Sequence, residues 1–289
     1  MRRILVGTAG GLHEVGTSDP VAFVGGSVDA LSHDGKWAIV DGIELWSRRA
    51  EWSEAARTDG PYLTCVVPFD DGALVGTRDA HLSRLRGDRL ERVDTFEDAP
   101  TRDDWFTPWG GPPDVRSLTV TDTDIYVNVH VGGVLRGHPD SKWEPTINIS
   151  SDVHEVRAAG DLIVAACAVG LAESGDGGFA WSYDDEGLHV TYARAVAVGA
   201  EFLFLSVSRG PRGGDAAVYR QPCDGDRAFE RCDLPSFPDN IDTGCLDAVE
   251  EIAAFGTRQG EVFMSSDHGG SWNKVADDLP PIQNVVIER

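Results

Sequence analysis

The sequence has few positive charges, and almost none of them is a lysine. Its 289 residues include 25 Lys+Arg against 48 Asp+Glu, which gives a formal net charge of -23, and lysine occurs only at positions 36, 142 and 274. This excess of acid disfavours the general attraction to phosphate that drives nucleic-acid binding and docking on anionic membranes. We therefore expect no nucleic-acid partner and no membrane insertion.

The scarcity of lysine also bears on habitat. Arginine supplies nearly all of the cations, and aspartate is the commoner acid. An acidic, lysine-poor surface holds water and cations in concentrated salt, where repulsion among the acids is screened. In this respect the chain resembles haloarchaeal cytoplasmic proteins, whereas an ordinary acidic mesophilic protein usually carries many lysines.

Long apolar runs and metal-type cysteine spacings are missing as well. No run approaches the roughly 18 residues of a membrane span, and none has the form of a signal peptide, so we expect a cytoplasmic protein. The five cysteines form no CxxC and no Cys/His metal pattern. Cys223 and Cys232 flank a turn and could face each other across a hairpin, although a cytosolic setting favours free thiols.

A repeat of short apolar segments indicates the fold. A β-type run recurs at 4–8, 37–40, 73–77, 125–127, 162–165, 202–205 and 252–257. A second run precedes all but the first of these, at 28–32, 63–67, 115–120, 153–158, 192–198 and 246–252. The missing partner of the first run appears near the other end, at 282–287.

Strands from the two ends therefore complete one another. Closing a circle of sheets in this way removes the exposed edge of an open array. We predict an all-β chain, a single domain over 1–289. It forms a seven-bladed β-propeller of four-stranded antiparallel sheets, with N- and C-terminal strands in one blade. A count of six or eight blades remains an alternative, because the repeat at 28–40 is weak.

Two segments share the pattern S-x-D-x-G-x-x-W. They contain Ser174, Asp176, Gly178 and Trp181, and Ser265, Asp267, Gly269 and Trp272. Asp accepts backbone N–H groups, Gly permits positive φ, and Trp packs beneath the turn. The pattern resembles the Asp-box, or bacterial neuraminidase (BNR) repeat, of sialidase-like, sortilin-type and photosystem II assembly-factor propellers. The resemblance implies structural turns between third and fourth strands, away from any axial pocket, so we assign these residues no catalytic role.

The same families usually bind ligands where the inner strands begin. That face would carry Asp29, Thr64, Arg116, His154, Glu155, Arg194, Asp247 and Gln283. Asp29, Glu155 and Asp247 are the candidate catalytic carboxylates, and Arg116, Arg194 and His154 are candidate ligand-binding residues. Unpaired buried charge is costly, so the alternative is that these groups pair with one another around a channel.

Three long connections could supply further contacts, at 94–114, 206–215 and 233–244. Trp105 and Trp109 in the first are candidates for an exposed binding patch, or for a plug over their own blade. Arg209 and Arg212 in the second could hold a carboxylate or pair locally.

The histidines do not form a predicted metal site. His130 and His154 should come close, but two histidines without a third ligand favour satisfied polar groups. We therefore predict no metal and no cofactor, and keep His130 only as a ligand-binding candidate.

Three functions remain in order of preference. The first is a non-catalytic scaffold, expected to be a monomer, that presents loops to a protein partner or a small-molecule or glycan ligand. The alternative is a glycoside hydrolase of the sialidase-like superfamily, using two of the axial carboxylates. A metal-dependent lyase or lactonase has the least support.

Overall fold

The fold consists almost entirely of short antiparallel strands. A computed structural model of the chain describes residues 2–108, 110–225 and 227–289. In the closing blade, the strands are β1 (Ile4–Thr8), β2 (Gly11–Glu14) and β27 (Ile282–Ile287). Blade 1 contains β3 (Val28–Leu31), β4 (Trp37–Val40), β5 (Glu44–Arg48) and β6 (Trp52–Arg57). Blade 2 contains β7 (Leu63–Phe69), β8 (Gly72–Thr77), β9 (Leu82–Arg86) and β10 (Arg89–Arg92).

The remaining blades follow the same plan. Blade 3 contains β11 (Val115–Val120), β12 (Ile125–Val129), β13 (Gly133–Gly137) and β14 (Glu144–Pro145). Blade 4 contains β15 (Val153–Ala159), β16 (Leu162–Cys167), β17 (Gly170–Ser174) and β18 (Ser182–Asp184). Blade 5 contains β19 (Tyr192–Val198), β20 (Phe202–Ser208), β21 (Ala217–Pro222) and β22 (Glu230–Arg231). Blade 6 contains β23 (Leu246–Val249), β24 (Ile252–Gly256), β25 (Val262–Ser265) and β26 (Asn273–Ala276).

In the described residues, helical structure is confined to single turns in connections. They are α1 (Asp94–Glu97) and 3₁₀ turns at Arg78–Ala80, Arg102–Asp104 and Ile149–Ser151. Among the described residues, no helix has the length and apolar character needed to cross a membrane.

The closing blade joins the two ends of the ring. β1 lies between β2 and β27, with Ile4 opposite Ile287 and Val6 opposite Val285. A single bridge between Leu12 and Ala22 stands where the other blades have a fourth strand. The seven-bladed ring with terminal closure, predicted from the unpaired first and last runs, is confirmed.

The core lies between blades rather than in one central mass. Successive side chains of a strand point to opposite faces of the sheet, and apolar side chains on both faces of a blade pack against the neighbouring blades. One cluster joins Leu74 and Leu82 of blade 2 to Val127 and Leu135 of blade 3, and similar clusters follow around the ring. All five cysteines are free thiols, Cys223 and Cys232 included.

The two S-x-D-x-G-x-x-W segments form matching turns between the third and fourth strands of blades 4 and 6. Asp176 Oδ1 accepts the N–H groups of Phe179 and Ala180 at 3.0 and 2.9 Å, and the Ser174 hydroxyl donates to the same oxygen at 2.8 Å. Asp267 accepts hydrogen bonds from the Ser271 N–H at 2.9 Å, from the Ser271 hydroxyl at 2.7 Å and from the Ser265 hydroxyl at 2.7 Å. These bonds lower the pKa of Asp267 to about 2, the Ser271 hydroxyl contributing most.

Each of these turns is also held by the preceding blade. Arg136 of β13 donates to the Gly177 carbonyl, and Arg220 of β21 donates to the His268 carbonyl, both at 2.9 Å. At Gly269, φ is +78°, and a Cβ atom there would lie 2.6 Å from the Phe204 ring of blade 5. The glycine therefore allows both the turn and the close approach of the two blades.

Candidate binding site at the channel mouth

One face of the ring, here called the mouth face, carries the longer connections. Because strands alternate in direction, hairpins between second and third strands lie on the same face as the connections to the next blade. Every inner strand begins at this face. The opposite face carries the turns between first and second and between third and fourth strands.

β-bulges at the mouth face redirect one residue of six inner strands. In each of these six strands, the register with the second strand skips one residue near the start of the inner strand. The skipped residues are Asp29, Thr64, Arg116, His154, Arg194 and Gln283. A bulge leaves a residue outside the ladder and re-aims its side chain. The result is a ring of polar side chains at the mouth.

A cavity of about 570 Å³ runs along the axis below this ring. Asp29, Thr64, Arg116 and Gln283 line it together with Glu155 and Arg157 farther along the inner strands. A volume of this size is typical of pockets for small ligands or single side chains of a partner.

Asp242 is the centre of the charge network at the mouth. Its carboxylate lies 2.8 Å from Arg194 Nη1, 3.8 Å from Arg116 Nη2 and 3.7 Å from Arg258 Nη2. Burial opposes ionisation of Asp242, but Arg194, Arg116 and the Thr243 N–H together lower its pKa. Arg194 also donates to the Pro211 carbonyl. Sequence reasoning missed Asp242 and Arg258 because both lie in connections outside the repeating strands.

Two of the three candidate catalytic carboxylates bridge neighbouring blades. Glu155 Oε2 accepts the Val196 N–H at 3.1 Å and its other oxygen lies 2.6 Å from Arg157 Nη2. Asp247 Oδ2 accepts the Ile287 N–H at 2.9 Å and Oδ1 lies 3.3 Å from Arg289 Nη2. Burial raises the pKa of both carboxyls, and the arginines oppose it.

Similar hydrogen bonds recur between other inner strands. The Thr64 hydroxyl donates to Val115 O at 2.5 Å, Ser117 Oγ accepts from Val156 N at 2.9 Å, and Asn284 Nδ2 donates to Asp29 O at 2.7 Å. Adjacent inner strands share no ladder, so side chains satisfy these buried backbone groups.

Asp29, the third candidate carboxylate, is half-buried at the cavity wall. It accepts the Ser27 hydroxyl at 2.8 Å, and Gln283 donates to the same hydroxyl at 2.7 Å. Burial is the main cause of its raised pKa, which the Ser27 bond partly opposes. A catalytic role for Asp29, Glu155 or Asp247 stays a prediction.

His130 and His154 come together as the sequence suggested, with ring centroids 6.0 Å apart. Asp152, which sequence reasoning missed, lies between them: its oxygens are 3.5 Å from His130 Nε2 and 3.6 Å from His154 Nε2. Burial and the nearby Arg116 lower the pKa of His130 to about 4.

Of the two alternatives left open for Trp105, an exposed patch or a plug over its own blade, the structure shows the second. Trp105 is only 8% exposed and packs against Phe96, 5.6 Å between ring centroids, while its Nε1 donates to Thr101. The connection thus folds over its own blade, where burying the indole is more favourable than exposing it. Trp109 lies outside the described residues. The neighbouring Phe106 is exposed instead.

Arg209 and Arg212 lie at the surface of the connection between β20 and β21. Arg209 Nη2 is 3.1 Å from Asp215 Oδ2 within the same loop. This is the local pairing that the sequence left open. Ligand binding by either arginine stays a prediction.

Comparisons of the whole fold place this geometry among known structures. No protein-family model matches the chain, and no curated protein matches it either. YCF48 from Cyanidioschyzon merolae superposes with a TM-score of 0.59 and 13% identity, covering 88% of this chain and 87% of that one. A structure of YCF48 bound to D1 peptide superposes with a TM-score of 0.59 and 15% identity, covering 96% of this chain and 90% of that one.

Two other proteins are similar to a comparable degree. The WD40 β-propeller domain of Doa1 gives a TM-score of 0.61 at 13% identity, over 86% of this chain and 82% of that one. An ancestral GH74 enzyme gives 0.63 at 12% identity, but this chain covers only 37% of it. They share the propeller fold. At such low identity the likeness extends to the fold alone, because one fold serves many functions.

Proposed function

We propose that the chain is a non-catalytic scaffold whose mouth face binds a segment of a protein partner. The observation that carries this proposal is the position of the exposed apolar side chains. Nine large apolar residues have exposed side chains among the described residues, and five of them lie in connections or hairpins of the mouth face: Val24, Tyr62, Phe106, Val169 and Phe237. Val120 and Phe179 lie at the opposite face. Phe237 is 85% and Phe106 62% exposed. Exposed apolar side chains on the face that also carries a polar pocket are typical of protein-binding surfaces.

The charges at the mouth favour binding over hydrolysis. Glu155 and Asp247 hold backbone N–H groups of the next blade, and Asp242 is occupied by arginines. A glycosidase needs one carboxylic acid and one carboxylate directed at the substrate. Carboxylates already committed to inter-blade bonds are poorly suited to those roles. A solved structure has YCF48 bound to D1 peptide, which is consistent with a peptide-binding role for a ring of this kind.

The test is selection of peptides from a displayed random library on the immobilised chain. We expect enriched peptides whose affinity falls at least about tenfold in a Phe106→Ser, Phe237→Ser double variant, since exposed aromatics are common hot spots. The matched control is Phe179→Ser, because Phe179 is 75% exposed but lies in a turn of the opposite face. Peptides that bind the double variant as tightly as the wild type would contradict the proposal.

A glycan array and a hydrolysis assay with aryl glycosides serve as the competing arm. Turnover that is abolished by Asp29→Asn would replace the scaffold with the hydrolase alternative. Absence of both enriched peptides and turnover would also count against a peptide-binding mouth.

A further inference from the structure

Three side chains from two blades converge at the mouth face. His130 belongs to the hairpin that follows β12 of blade 3, Asp152 ends the connection into blade 4, and His154 is the bulged residue of β15. One potential ligand atom from each residue lies within 4.8 Å of the other two. No sequence motif joins them, because the ring brings together residues of separate blades.

The orientation of His154 is fixed by a backbone carbonyl. Its Nδ1 lies 2.5 Å from Ala193 O, which can only accept, so the hydrogen of a neutral ring sits on Nδ1. Nε2 then presents a lone pair towards Asp152. A carbonyl behind the distal nitrogen is the usual arrangement of a metal-binding histidine.

Two buried acceptor atoms therefore lie close together without a donor. Among the described residues, neither His154 Nε2 nor Asp152 Oδ1 has a hydrogen-bond partner, and the His154 side chain is fully buried. Buried polar atoms of this kind are rarely left unsatisfied. A cation between the nitrogen and the carboxylate would satisfy both.

The spacing fits a small tetrahedral ion. With metal bonds near 2.0 to 2.2 Å, tetrahedral ligands lie roughly 3.4 Å apart. Asp152 Oδ1 is 3.5 Å from His130 Nε2 and Asp152 Oδ2 is 3.6 Å from His154 Nε2, so each imidazole is at this spacing from one oxygen of the carboxylate. Two imidazoles and one carboxylate suit Zn²⁺ better than Ca²⁺ or Mg²⁺, which prefer oxygen ligands.

Positive charge nearby is offset by another acid. Arg116 and Arg194 are close enough to influence His130, but their guanidinium groups lie 3.8 and 2.8 Å from Asp242. Among the described residues, the ion pairs of Asp152 are with His130 and His154 rather than with either arginine, so its carboxylate faces the two imidazoles.

We propose that His130, Asp152 and His154 bind one divalent transition-metal ion of the zinc type, which ties blade 3 to blade 4 at the mouth. Three protein ligands leave the fourth tetrahedral position to water or to a donor atom of a ligand. The site does not depend on the proposed peptide-binding function.

The test is titration of chelator-treated chain with Zn²⁺ by calorimetry and with Co²⁺ by visible absorption. We expect one equivalent of each metal, with the intense absorption of tetrahedral Co²⁺. His130→Gln and Asp152→Asn should each weaken binding at least about tenfold. His189→Gln is the matched control, because His189 Nε2 also lies near an aspartate, 3.7 Å from Asp215, but the part of the chain that the structure describes offers no third ligand there. Circular dichroism checks that each variant is folded.

Stoichiometric binding that both variants retain would overturn the proposal, as would no binding by the wild type. In that case a protonated His154 paired with Asp152 would account for the geometry. If the variants do not fold, crystals of the wild type soaked in Zn²⁺ decide the matter. An anomalous peak between the three side chains supports the site, and its absence refutes it.

Discussion

Asp247 Oδ2 accepts a 2.9 Å hydrogen bond from the backbone N–H of Ile287, across the boundary between blade 6 and the closing blade. The carboxylate is fully committed, because Oδ1 faces Arg289. An acid at the axis of a propeller can therefore be a structural bridge, whatever its resemblance to a catalytic group.

Replacing this bridge should lower stability. We expect Asp247→Ala to reduce the free energy of unfolding by about 2 to 4 kcal/mol, because it leaves a buried N–H unsatisfied and Arg289 unpaired. Asp247→Asn keeps an acceptor and should cost less. Chemical denaturation measures both, with the exposed Asp277→Ala as control. Equal stability of wild type and Asp247→Ala would contradict the bridging role.

Ring closure makes a second prediction. Deleting 282–289 removes β27 and exposes the edge of β1, so we expect loss of cooperative unfolding and a tendency to aggregate. Adding a synthetic peptide of residues 280–289 should partly restore the melting transition. A truncated chain that melts like the full one would exclude closure through β27.

Salt dependence follows from the charge of -23. Screening should relieve repulsion among surface acids, so the melting temperature should rise by roughly 5 °C or more between 0.1 and 3 M KCl. A variant with lysine at the exposed positions Asp59, Asp88, Asp161 and Glu201 should melt higher at low salt and respond less to KCl. A melting temperature independent of KCl would remove the salt-adapted interpretation.

The turn at Asp267 gives a pH prediction. Its pKa is lowered to about 2, so the ionised form is favoured in the folded chain. Its contribution to stability is complete above the unfolded pKa near 4 and is lost as the pH falls through about 2. Because the carboxylate is exposed and solvent screens its interactions, Asp267→Ala should lower the free energy of unfolding by only about 1 kcal/mol at pH 7. The gap between variant and wild type should close near pH 2.

Asp277→Ala, which removes the same charge from an exposed position, is the control for this series. If the difference in free energy of unfolding between Asp267→Ala and wild type persists unchanged below pH 2, ionisation of Asp267 is not the source of the stabilisation.

The fold was predictable because the same pattern of two apolar runs recurs along the sequence, once for each blade. The apolar runs at 4–8 and 282–287 lacked partners in their own neighbourhoods, and only a closed ring pairs them. The sequence also predicted part of the ring of bulged residues. Asp29, Arg116, His154 and Arg194 stand at the starts of inner strands, and the inner strands begin at the mouth face.

The rest of the site depends on contacts between blades that no local pattern encodes. Asp152, Asp242 and Arg258 lie in connections, and their roles arise from neighbours far along the chain. The sequence left the burial of Trp105 undetermined for the same reason. An indole in a connection packs on its own blade or faces solvent depending on whether the folded blade offers a cavity of the right size.

The closing blade has a consequence for biosynthesis. Of the strands in the ring, β1 is synthesised before all the others, but it finds its inner neighbour only when β27 has emerged, about 280 residues later. Until then the ring is an open arc in which β1 pairs with β2 but has one unpaired edge, and edges of that kind recruit other chains. Contacts at such sequence separation are slow to form. Chaperone dependence should therefore concentrate in the interval between synthesis of the sixth blade and arrival of the final strand.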